Sequence, residues 1–407
     1  MEPDPAAPAA APGASPPQPP GASRRWRSLW RLHFYAGIFA MPFILLMAVT
    51  GLVILYTQPL QDATQGSLRT VEDRGEWVSF DRQSQAVERA FPDATVTGFT
   101  VPADGEHATL FALDDGSEAY VDPYTAKVLG SQVPGDDLVG LSNRLHGTLN
   151  NESVTVPLPT VSALWDGEAV IRDYVVGDLV LELLGVWTLV LVFSGLYLWW
   201  PRRSRNQADP RPGRRFFGLR LAAPGRARWR DLHGFGGMLM FAAIVMTLVS
   251  GFAWSTYWVP NFTALAIEVS PNSWTDAPPS KVGTKADLTR LGTRINWNTG
   301  DQPVPASYAT EPDGSVPAPI SLDDVVTIAK QERMLPGYSV TFPSNATEGD
   351  TTTYGSFMVS NSWPRATGEA KDVYLDQFTG ETLATQTGWG YGTVSYAMDV
   401  LVSTHMG

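Results

Sequence analysis

Long apolar runs interrupt an otherwise polar sequence at three places. The first run, residues 34–56, contains no charged residue and is long enough to cross the roughly 30 Å hydrocarbon core of a bilayer as a helix. The second extends from about residue 177 to residue 200, and the third covers residues 234–258 without a charge. We therefore predict a membrane protein with three helical spans.

The first and third runs share one template. Each begins at a histidine behind a basic flank, has a glycine four residues later, and has a hydroxyl residue followed by glycine 17 residues after the histidine. These residues are His33, Gly37 and Thr50-Gly51 in the first run, and His233, Gly237 and Ser250-Gly251 in the third. The second run repeats the small pair as Ser194-Gly195. Because small residues allow helices to approach closely, the template indicates a duplicated protein that holds something between its helices.

The polar region after the first run predicts a helix followed by a small antiparallel sheet. Residues 80–91 have the pattern of a short helix, with Asp81 as its expected cap. Residues 94–101, 107–113 and 118–121 then alternate like strands and are separated by turn residues. This pattern predicts a modest α+β unit.

A second α+β unit follows the third run. Residues 321–335 predict a helix capped by Ser321, and strand-like segments come after it. Both units end in Tyr-[Val/Leu]-Asp-x-[Tyr/Phe]-Thr, beginning at Tyr120 in the first and at Tyr374 in the second. Asp122 and Asp376, with these tyrosines, are interpreted as strand and turn structure. The repeat of span plus outer unit predicts a parallel internal duplication.

The charges predict an orientation in the membrane. The net charge of −12 conceals an asymmetry: residues 1–33 and 201–233 together hold 14 Arg and 4 acidic residues, and the remainder holds 15 basic and 37 acidic residues. Arginines beside membrane spans mark the cytoplasmic side. We therefore expect a multi-pass protein of the bacterial inner (cytoplasmic) membrane with a cytoplasmic N-terminus and extracytoplasmic domains. The same rule accounts for the arginines without nucleic acid, so membrane lipid is the expected surrounding and no nucleic-acid partner is expected.

These patterns divide the chain into eight segments. The segments are a disordered cytoplasmic tail (1–23), a first transmembrane helix (24–56), a first outer domain (57–172), a second transmembrane helix (173–200), a basic cytoplasmic loop (201–232), a third transmembrane helix (233–258), a second outer domain (259–404) and the start of an expected fourth transmembrane helix (405–407).

Glu182 is an acidic residue inside the second span, where an ionisable side chain is costly. It is expected either near the outer interface or beside a partner, and the interface interpretation is slightly preferred.

Several segments resemble the PepSY-associated transmembrane family. They are Leu32-His33-Phe34-Tyr35-Ala36-Gly37, Leu145-His146-Gly147-Thr148-Leu149, Trp199-Trp200-Pro201-Arg202 and Asp231-Leu232-His233, together with the two outer units, which look like PepSY domains. The resemblance covers the chain from about residue 24 to its end. That family includes iron-regulated inner-membrane proteins and siderophore-iron reductases. Its members continue after a His-x-Gly segment, here His405-Met406-Gly407, into a fourth span, which is therefore expected.

The candidate chemistry lies in the histidines. Four of the five stand at predicted membrane borders: His33 and His233 on the cytoplasmic side, and His146 and His405 on the outer side. Haem b takes two axial imidazoles from opposite sides of its ring, so these residues predict iron ligation in two pairs and one or two haem groups. Small residues in the spans would leave room for a porphyrin.

Other interpretations of the same residues remain open. A histidine at a helix start can simply be solvated at the headgroup level or bonded to a neighbour. Copper or zinc could bind the same imidazoles, but no carboxylate or thiolate is clustered with them. His107 lies in a strand-like stretch and is expected to be an ordinary surface residue. The absence of cysteine excludes disulfides, iron–sulfur clusters and thiolate sites.

Two functions are compatible with these residues and motifs. The leading hypothesis is a haem-containing reductase that passes electrons from the cytoplasmic side to an extracytoplasmic ferric siderophore or other ferric chelate for iron acquisition. No nicotinamide, flavin or phosphate-loop fingerprint is present, so the electron donor is expected to be a cytoplasmic partner or a quinol. The outer units would form the docking surface, as the resemblance implies. The alternative is a non-enzymatic PepSY membrane scaffold that binds or restrains a peptide or protease.

Overall fold

The computed structural model describes twelve stretches of the chain. They are residues 24–160, 170–200, 225–253, 255–259, 261–262, 269–270, 279–285, 287–288, 299–300, 302–308, 315–361 and 367–406. The predictions for the tail (1–23), for most of the basic loop (201–224) and for much of residues 263–314 lie outside the described residues.

Three helices have the length and composition of membrane spans. They are α1 (Arg24–Leu55), α5 (Val176–Trp199) and α6 (Arg226–Phe252), with 32, 24 and 27 residues. At 1.5 Å per residue each exceeds the roughly 30 Å of the hydrocarbon core. Many of their leucine, phenylalanine and valine side chains are exposed on the protein surface, as expected of residues that face lipid. The chain is therefore a membrane protein.

Five further helices have their bounds within the described residues and lie outside these three spans. They are α2 (Thr57–Arg69), α3 (Phe80–Ala90), α4 (Leu138–Thr148), α7 (Leu322–Gln331) and α8 (Thr393–Met406). Helix α8 carries His405 and begins at Thr393, well before the helix start expected from the sequence at residue 405. Short 3-10 turns cover Thr367–Glu369 and Gly388–Tyr391.

The described residues form two compact units. The first contains residues 24–41 and the described part of 188–241, and a small apolar cluster of Ala36, Ala40 and Leu191 lies within it. The second contains residues 42–187 and the described part of 242–407, and it includes all the strands.

Eight strands of the second unit form one antiparallel sheet. Its first half is β1 (Val96–Thr100), β2 (Thr109–Leu113), β3 (Glu118–Asp122) and β4 (Lys127–Gln132); its second half is β9 (Ser339–Thr341), β12 (Ser356–Ser360), β13 (Lys371–Asp376) and β14 (Thr382–Thr387). The order across the sheet is β14-β13-β12-β9-β1-β2-β3-β4. Each half is therefore a meander that follows one helix, α3 or α7.

Three small two-stranded sheets complete the strands. They pair β5 (Thr155–Pro159) with β6 (Ile171–Val175), β7 (Pro279–Thr284) with β8 (Pro303–Pro305), and β10 (Ala346–Glu348) with β11 (Thr351–Thr353).

The two halves of the large sheet join directly at β1 and β9. Gly98 lies opposite Thr341, and Phe99 lies opposite Val340. A Cβ atom at Gly98 would lie 2.5 Å from the Val340 carbonyl oxygen, so only glycine fits this close backbone approach. The predicted outer units are thus two halves of one continuous sheet.

Helices α3 and α7 cover one face of this sheet. The core between helices and sheet contains buried apolar residues from both halves, among them Val87, Phe99, Phe111, Val325 and Phe357. Burial of each such side chain contributes roughly 1.5–3 kcal/mol. Because both halves supply this one core, neither half buries its apolar face alone.

The helix caps differ in one position from the sequence prediction. Ser321 caps α7 as predicted, since its hydroxyl accepts a hydrogen bond from the Asp324 amide at 3.1 Å. The cap of α3 is Ser79, whose hydroxyl accepts from the Arg82 amide at 3.3 Å, and the prediction of Asp81 was wrong. Serine and aspartate are both good N-caps, and the cap is the residue directly before the helix, which is Ser79.

Asp81 instead accepts a hydrogen bond from the other half. Its carboxylate lies 3.2 Å from the Leu322 amide nitrogen at the start of α7. In return, the Asp323 carboxylate lies 3.2 Å from the Phe80 amide nitrogen at the start of α3. These amides have no partner within their own helices, so each half satisfies the helix terminus of the other.

Tyr120 and Tyr374 occupy matching places, on the third strand of each half. A cation lies 5.9 Å from the ring centre of each: the Arg69 guanidinium carbon for Tyr120 and the Lys285 ammonium nitrogen for Tyr374. Burial raises the pKa of Tyr120 to about 12, with a further contribution from the charge of Glu118. Their position within the sheet agrees with a structural role.

Asp122 and Asp376 end the same two strands in similar turns. The Asp122 carboxylate accepts from the Tyr124 amide at 2.9 Å, and the Asp376 carboxylate accepts from the Phe378 amide at 2.8 Å. This confirms the interpretation of both aspartates as turn residues.

Glu182 has a partner within the second unit. Its carboxylate accepts a hydrogen bond from the Tyr257 amide at 2.8 Å, and Asp178, one turn earlier in α5, accepts from the Thr256 amide at 2.6 Å. Both carboxylates are buried. The partner alternative therefore applies, and these bonds hold the segment after α6 against the start of α5.

Candidate functional site

The structure brings the four border histidines together as two pairs. In the first unit, the ring centres of His33 on α1 and His233 on α6 lie 6.2 Å apart, with 61° between the ring planes. In the second unit, the ring centres of His146 on α4 and His405 on α8 lie 6.3 Å apart at 59°. These are the two pairs proposed from the sequence.

The spacing within each pair fits a single metal ion between two imidazoles. A metal–imidazole nitrogen bond is about 2.0 Å long, and the ring centre lies about 1.1 Å beyond that nitrogen. Two imidazoles on opposite sides of one iron therefore have ring centres roughly 6.2 Å apart. Both pairs have this separation.

Three of the four imidazoles bond to the same kind of group on another helix. Each places its Nδ1 atom beside the hydroxyl of one of the hydroxyl–glycine pairs recognised in the sequence. The Nδ1-to-oxygen distances are 2.9 Å from His33 to Ser194, 2.9 Å from His146 to Thr50, and 3.0 Å from His405 to Ser250.

The hydroxyl protons in these contacts have another acceptor. The Thr50 hydroxyl donates to the Leu46 carbonyl at 2.8 Å, and the Ser194 and Ser250 hydroxyls each donate at 3.0 Å to the carbonyl three residues earlier. Because a hydroxyl has one proton and two lone pairs, each of these oxygens then accepts from the imidazole. We therefore assign the proton to Nδ1 in His33, His146 and His405, which leaves Nε2 as the free ligand atom.

The glycine of each pair makes room for the ring. A Cβ atom would lie 3.1 Å from the Cε1 atom of His146 at Gly51, 3.0 Å from that of His33 at Gly195, and 3.3 Å from that of His405 at Gly251. Carbon atoms in ordinary contact are 3.5–4.0 Å apart. The glycines therefore permit the observed approach of the imidazoles.

Gly37 and Gly237 have the opposite environment. Each lies one helical turn after a histidine of the first pair, and a Cβ added at either position would have no heavy atom within 4 Å. No described side chain therefore requires glycine there. Gly37 is half-buried and Gly237 is exposed, so a flat group such as a porphyrin could lie over either glycine without displacing a described side chain.

The described side-chain contacts of His107 are with carboxylates and not with the other histidines. Its Nδ1 atom lies 2.6 Å from an Asp104 carboxylate oxygen, and its Nε2 atom lies 3.5 Å from an Asp62 oxygen. Desolvation lowers the pKa of His107, but the hydrogen bonds and charges of Asp104 and Asp62 outweigh it, and the net pKa is raised. His107 is thus a half-buried, ion-paired residue rather than a freely solvated one.

The described residues also indicate whether a metal ion such as copper or zinc could be held without a porphyrin. Within the described stretches, no group of three or more histidines and carboxylates comes close enough to hold a metal ion together. The paired imidazoles are therefore the candidate ligands that the described residues offer, and pairs of this kind suit haem iron, whose remaining four ligands come from the porphyrin.

Comparison with known proteins identifies the family. Residues 30–407 match the model of the family described as the PepSY-associated TM region. The chain belongs to this family. A search of the curated proteins finds no match.

The match to the PepSY-associated family covers the sheet, all four border histidines, helices α5 and α6, and α1 from residue 30 onward. The resemblance noted in the sequence motifs is thereby confirmed. The role of the histidines as haem ligands stays a prediction.

The contacts of the hydroxyl–glycine pairs were not predicted from the sequence. Thr50-Gly51, Ser194-Gly195 and Ser250-Gly251 were interpreted there as small residues that permit close helix approach, without a connection to any histidine. The signal was the constant spacing of 17 residues between histidine and hydroxyl in two spans. Seventeen residues span about 25 Å of helix, so the hydroxyl cannot reach the histidine of its own helix, but the spacing alone does not identify its partner.

Proposed function

We propose that this protein is a haem-containing membrane reductase that passes electrons from the cytoplasmic side to an extracytoplasmic ferric chelate, such as a ferric siderophore. The observation that carries the proposal is the shared geometry of two histidine pairs, with ring-centre separations of 6.2 Å and 6.3 Å. A single pair could arise by coincidence, but two pairs with the same spacing and tilt favour a common ligand.

His33 and His233 would hold one haem b, and His146 and His405 would hold a second. When bound, such a group would supply one-electron exchange at its iron, and the two histidines of each pair would hold it. Residues of this chain would orient three of the four imidazoles through Nδ1 and leave Nε2 of those three as the ligand atom.

The orientation follows from the arginine flanks. Residues 1–33 and 201–232 would face the cytoplasm of a bacterium, and the large antiparallel sheet would lie outside the inner membrane. Reporter fusions near residues 110 and 350 test this orientation. Cytoplasmic signal from either fusion would contradict it.

An internal duplication is part of the proposal. Both halves of the sheet have one helix followed by four antiparallel strands, and Tyr120 and Tyr374 lie on the third strand of their halves. The contacts of the second histidine pair also match, since His146 bonds Thr50 of the first span and His405 bonds Ser250 of the third. These correspondences support two copies of a span-plus-sheet unit.

The ferric chelate is the substrate that suits this arrangement. Hard-oxygen chelators hold Fe(III) much more tightly than Fe(II), so one-electron reduction releases the iron. The outer sheet and its loops would form the docking surface. The electron donor would be a cytoplasmic protein or a quinol on the side of the first pair.

Spectroscopy on the purified full chain, expressed with ample haem, tests the proposal. We expect a Soret band and a low-spin bis-histidine spectrum, together with reduction of a ferric chelate. His33→Ala should remove the haem of the first pair and His146→Ala that of the second. His107→Ala is the matched control, because His107 bonds only carboxylates among the contacts described.

The alternative is a PepSY membrane scaffold that binds or restrains a peptide or protease. The continuous sheet supports this scaffold function, because β4 and β14 are its edge strands and a peptide strand could pair with either edge. If the full chain shows no Soret band under these conditions, the reductase proposal fails and the scaffold takes its place.

A further inference from the structure

We propose that Thr50, Ser194 and Ser250 are positioning residues that orient His146, His33 and His405, each with its Nε2 atom directed for metal binding. The proposal rests on the proposed function for the identity of the bound group. The orientation of the imidazoles themselves rests on the contacts of this chain alone.

The direction of the hydrogen bonds determines which ring nitrogen is free. Each hydroxyl donates its proton to a carbonyl of its own helix, so it can only accept from the neighbouring imidazole. His405 has a second bond that requires the same direction: its Nδ1 atom lies 3.2 Å from the Thr247 carbonyl oxygen, which has no proton to donate. A histidine whose Nδ1 donates to a fixed acceptor presents Nε2 as a metal ligand.

The adjacent glycine makes the contact specific. Consecutive residues of a helix differ by about 100° in direction, so a side chain after the hydroxyl residue would project beside the same imidazole. At Gly195 this side chain would begin 3.0 Å from the His33 ring, and at Gly51 it would begin 3.1 Å from the His146 ring. The hydroxyl therefore accepts the hydrogen bond from the imidazole, and the glycine leaves room for the imidazole ring.

A simpler explanation is that these hydroxyls only satisfy their own helices. Serine and threonine in membrane helices commonly bond the carbonyl three or four residues earlier and nothing else. Thr404 provides that case here, because its hydroxyl donates to the Val400 carbonyl at 2.7 Å and contacts no histidine among the bonds described. Thr404→Val is therefore a matched control for removal of a helix-bonded hydroxyl.

The first experiment measures haem affinity in the full chain. Thr50→Val keeps the shape of the side chain but removes the acceptor for His146, and we expect the affinity of the second pair to fall about 10- to 100-fold. Thr50→Ser keeps the hydroxyl and should restore binding. Thr404→Val should bind haem as the unchanged protein does.

Each substitution should weaken haem binding at the pair whose histidine loses its hydrogen-bond acceptor. Ser194→Ala should weaken the first pair and spare the second. Ser250→Ala should weaken the second pair less than Thr50→Val does, because His405 keeps its bond to the Thr247 carbonyl. The spectra of the single variants His33→Ala and His146→Ala identify which pair each change affects.

The second experiment reads the imidazole proton directly and needs no haem. In the haem-free full chain labelled with ¹⁵N at its five histidines, we expect His33, His146 and His405 to carry the proton on Nδ1. Thr50→Val should change the signals of His146, and Thr50→Ser and Thr404→Val should not.

The two experiments separate the outcomes. If Thr50→Val and Ser194→Ala alter neither the imidazole signals nor haem affinity, the positioning role is overturned. If the signals change as expected while the protein binds no haem, positioning stands and the reductase proposal fails. If Thr50→Val does not fold, Ser194→Ala makes the same test at the other pair.

Discussion

Gly195→Ala offers a sharp test of how closely the first histidine pair is packed. The new Cβ atom would lie 3.0 Å from the Cε1 atom of His33, at least about 0.5 Å closer than an ordinary carbon contact. The ring must therefore move by about that distance, and ligand geometry tolerates only about 0.5 Å. The added methyl group changes the site without removing any hydrogen-bonding atom.

The magnitude follows from two opposing effects. Overpacking of this kind costs about 1–3 kcal/mol, which corresponds to a roughly 5- to 150-fold loss of haem affinity at this pair. In the haem-free protein the His33 ring can move aside to relieve this contact, so the cost falls on haem binding, which needs the ring in place. Alanine also favours a helix over glycine by about 0.8–1.0 kcal/mol, and the melting temperature of the haem-free protein should therefore change little.

The assay is a haem titration followed at the Soret band, with thermal unfolding of the haem-free protein beside it. Gly51→Ala should affect the second pair in the same way, because its Cβ would lie 3.1 Å from His146. Gly66→Ala in α2 is the control, since its Cβ would make an ordinary contact of 3.5 Å with Thr70. Unchanged haem affinity in both Gly195→Ala and Gly51→Ala would refute this role of the glycines.

Three further predictions concern the outer sheet and are checked by thermal unfolding. Asp81→Ala should destabilise the protein by about 0.5–2 kcal/mol, because the first amide of α7 loses its acceptor; an unchanged melting temperature would contradict the cross-cap. Lys285→Met should cost about 3–5 kcal/mol of stability, because it removes the ammonium 2.7 Å from buried Asp372. Adding Asp372→Asn should recover part of this loss, and a double variant whose loss equals the sum of the two single losses would contradict the ion pair. His107 has a raised pKa, so its ion pairs stabilise the fold fully below the ordinary histidine pKa of about 6.5 and are lost as pH rises through the raised value; His107→Gln should abolish this loss of stability with rising pH.

The sequence predicted the elements whose pattern is local. The three spans, the helices near residues 80 and 322 and the first three strands all appear, because apolar runs and alternating residues reflect burial directly. The pairing of the histidines could also be anticipated, since matched positions in a repeat imply matched environments.

What the sequence did not predict depends on contacts between distant segments. The junction of β1 with β9 pairs residues more than 200 positions apart, and no local pattern encodes such a register. The exchange of helix caps between Asp81 and Asp323 is of the same kind. So is the bond from His33 to Ser194, because a hydroxyl in a span carries no mark of its partner.

The junction between the sheet halves has a consequence for synthesis. Strands β1–β4 can pair with one another before the second half of the sheet is made, but one edge of β1 lacks its partner until Ser339–Thr341 has been made. At about 5–20 residues per second, those roughly 240 residues take on the order of 10–50 s, during which two spans must enter the membrane. An unpaired edge strand is a template for aggregation. Release of a chain stalled after α5 would therefore expose the open edge of β1 and half of an apolar core to other incomplete copies of the protein on the same side of the membrane.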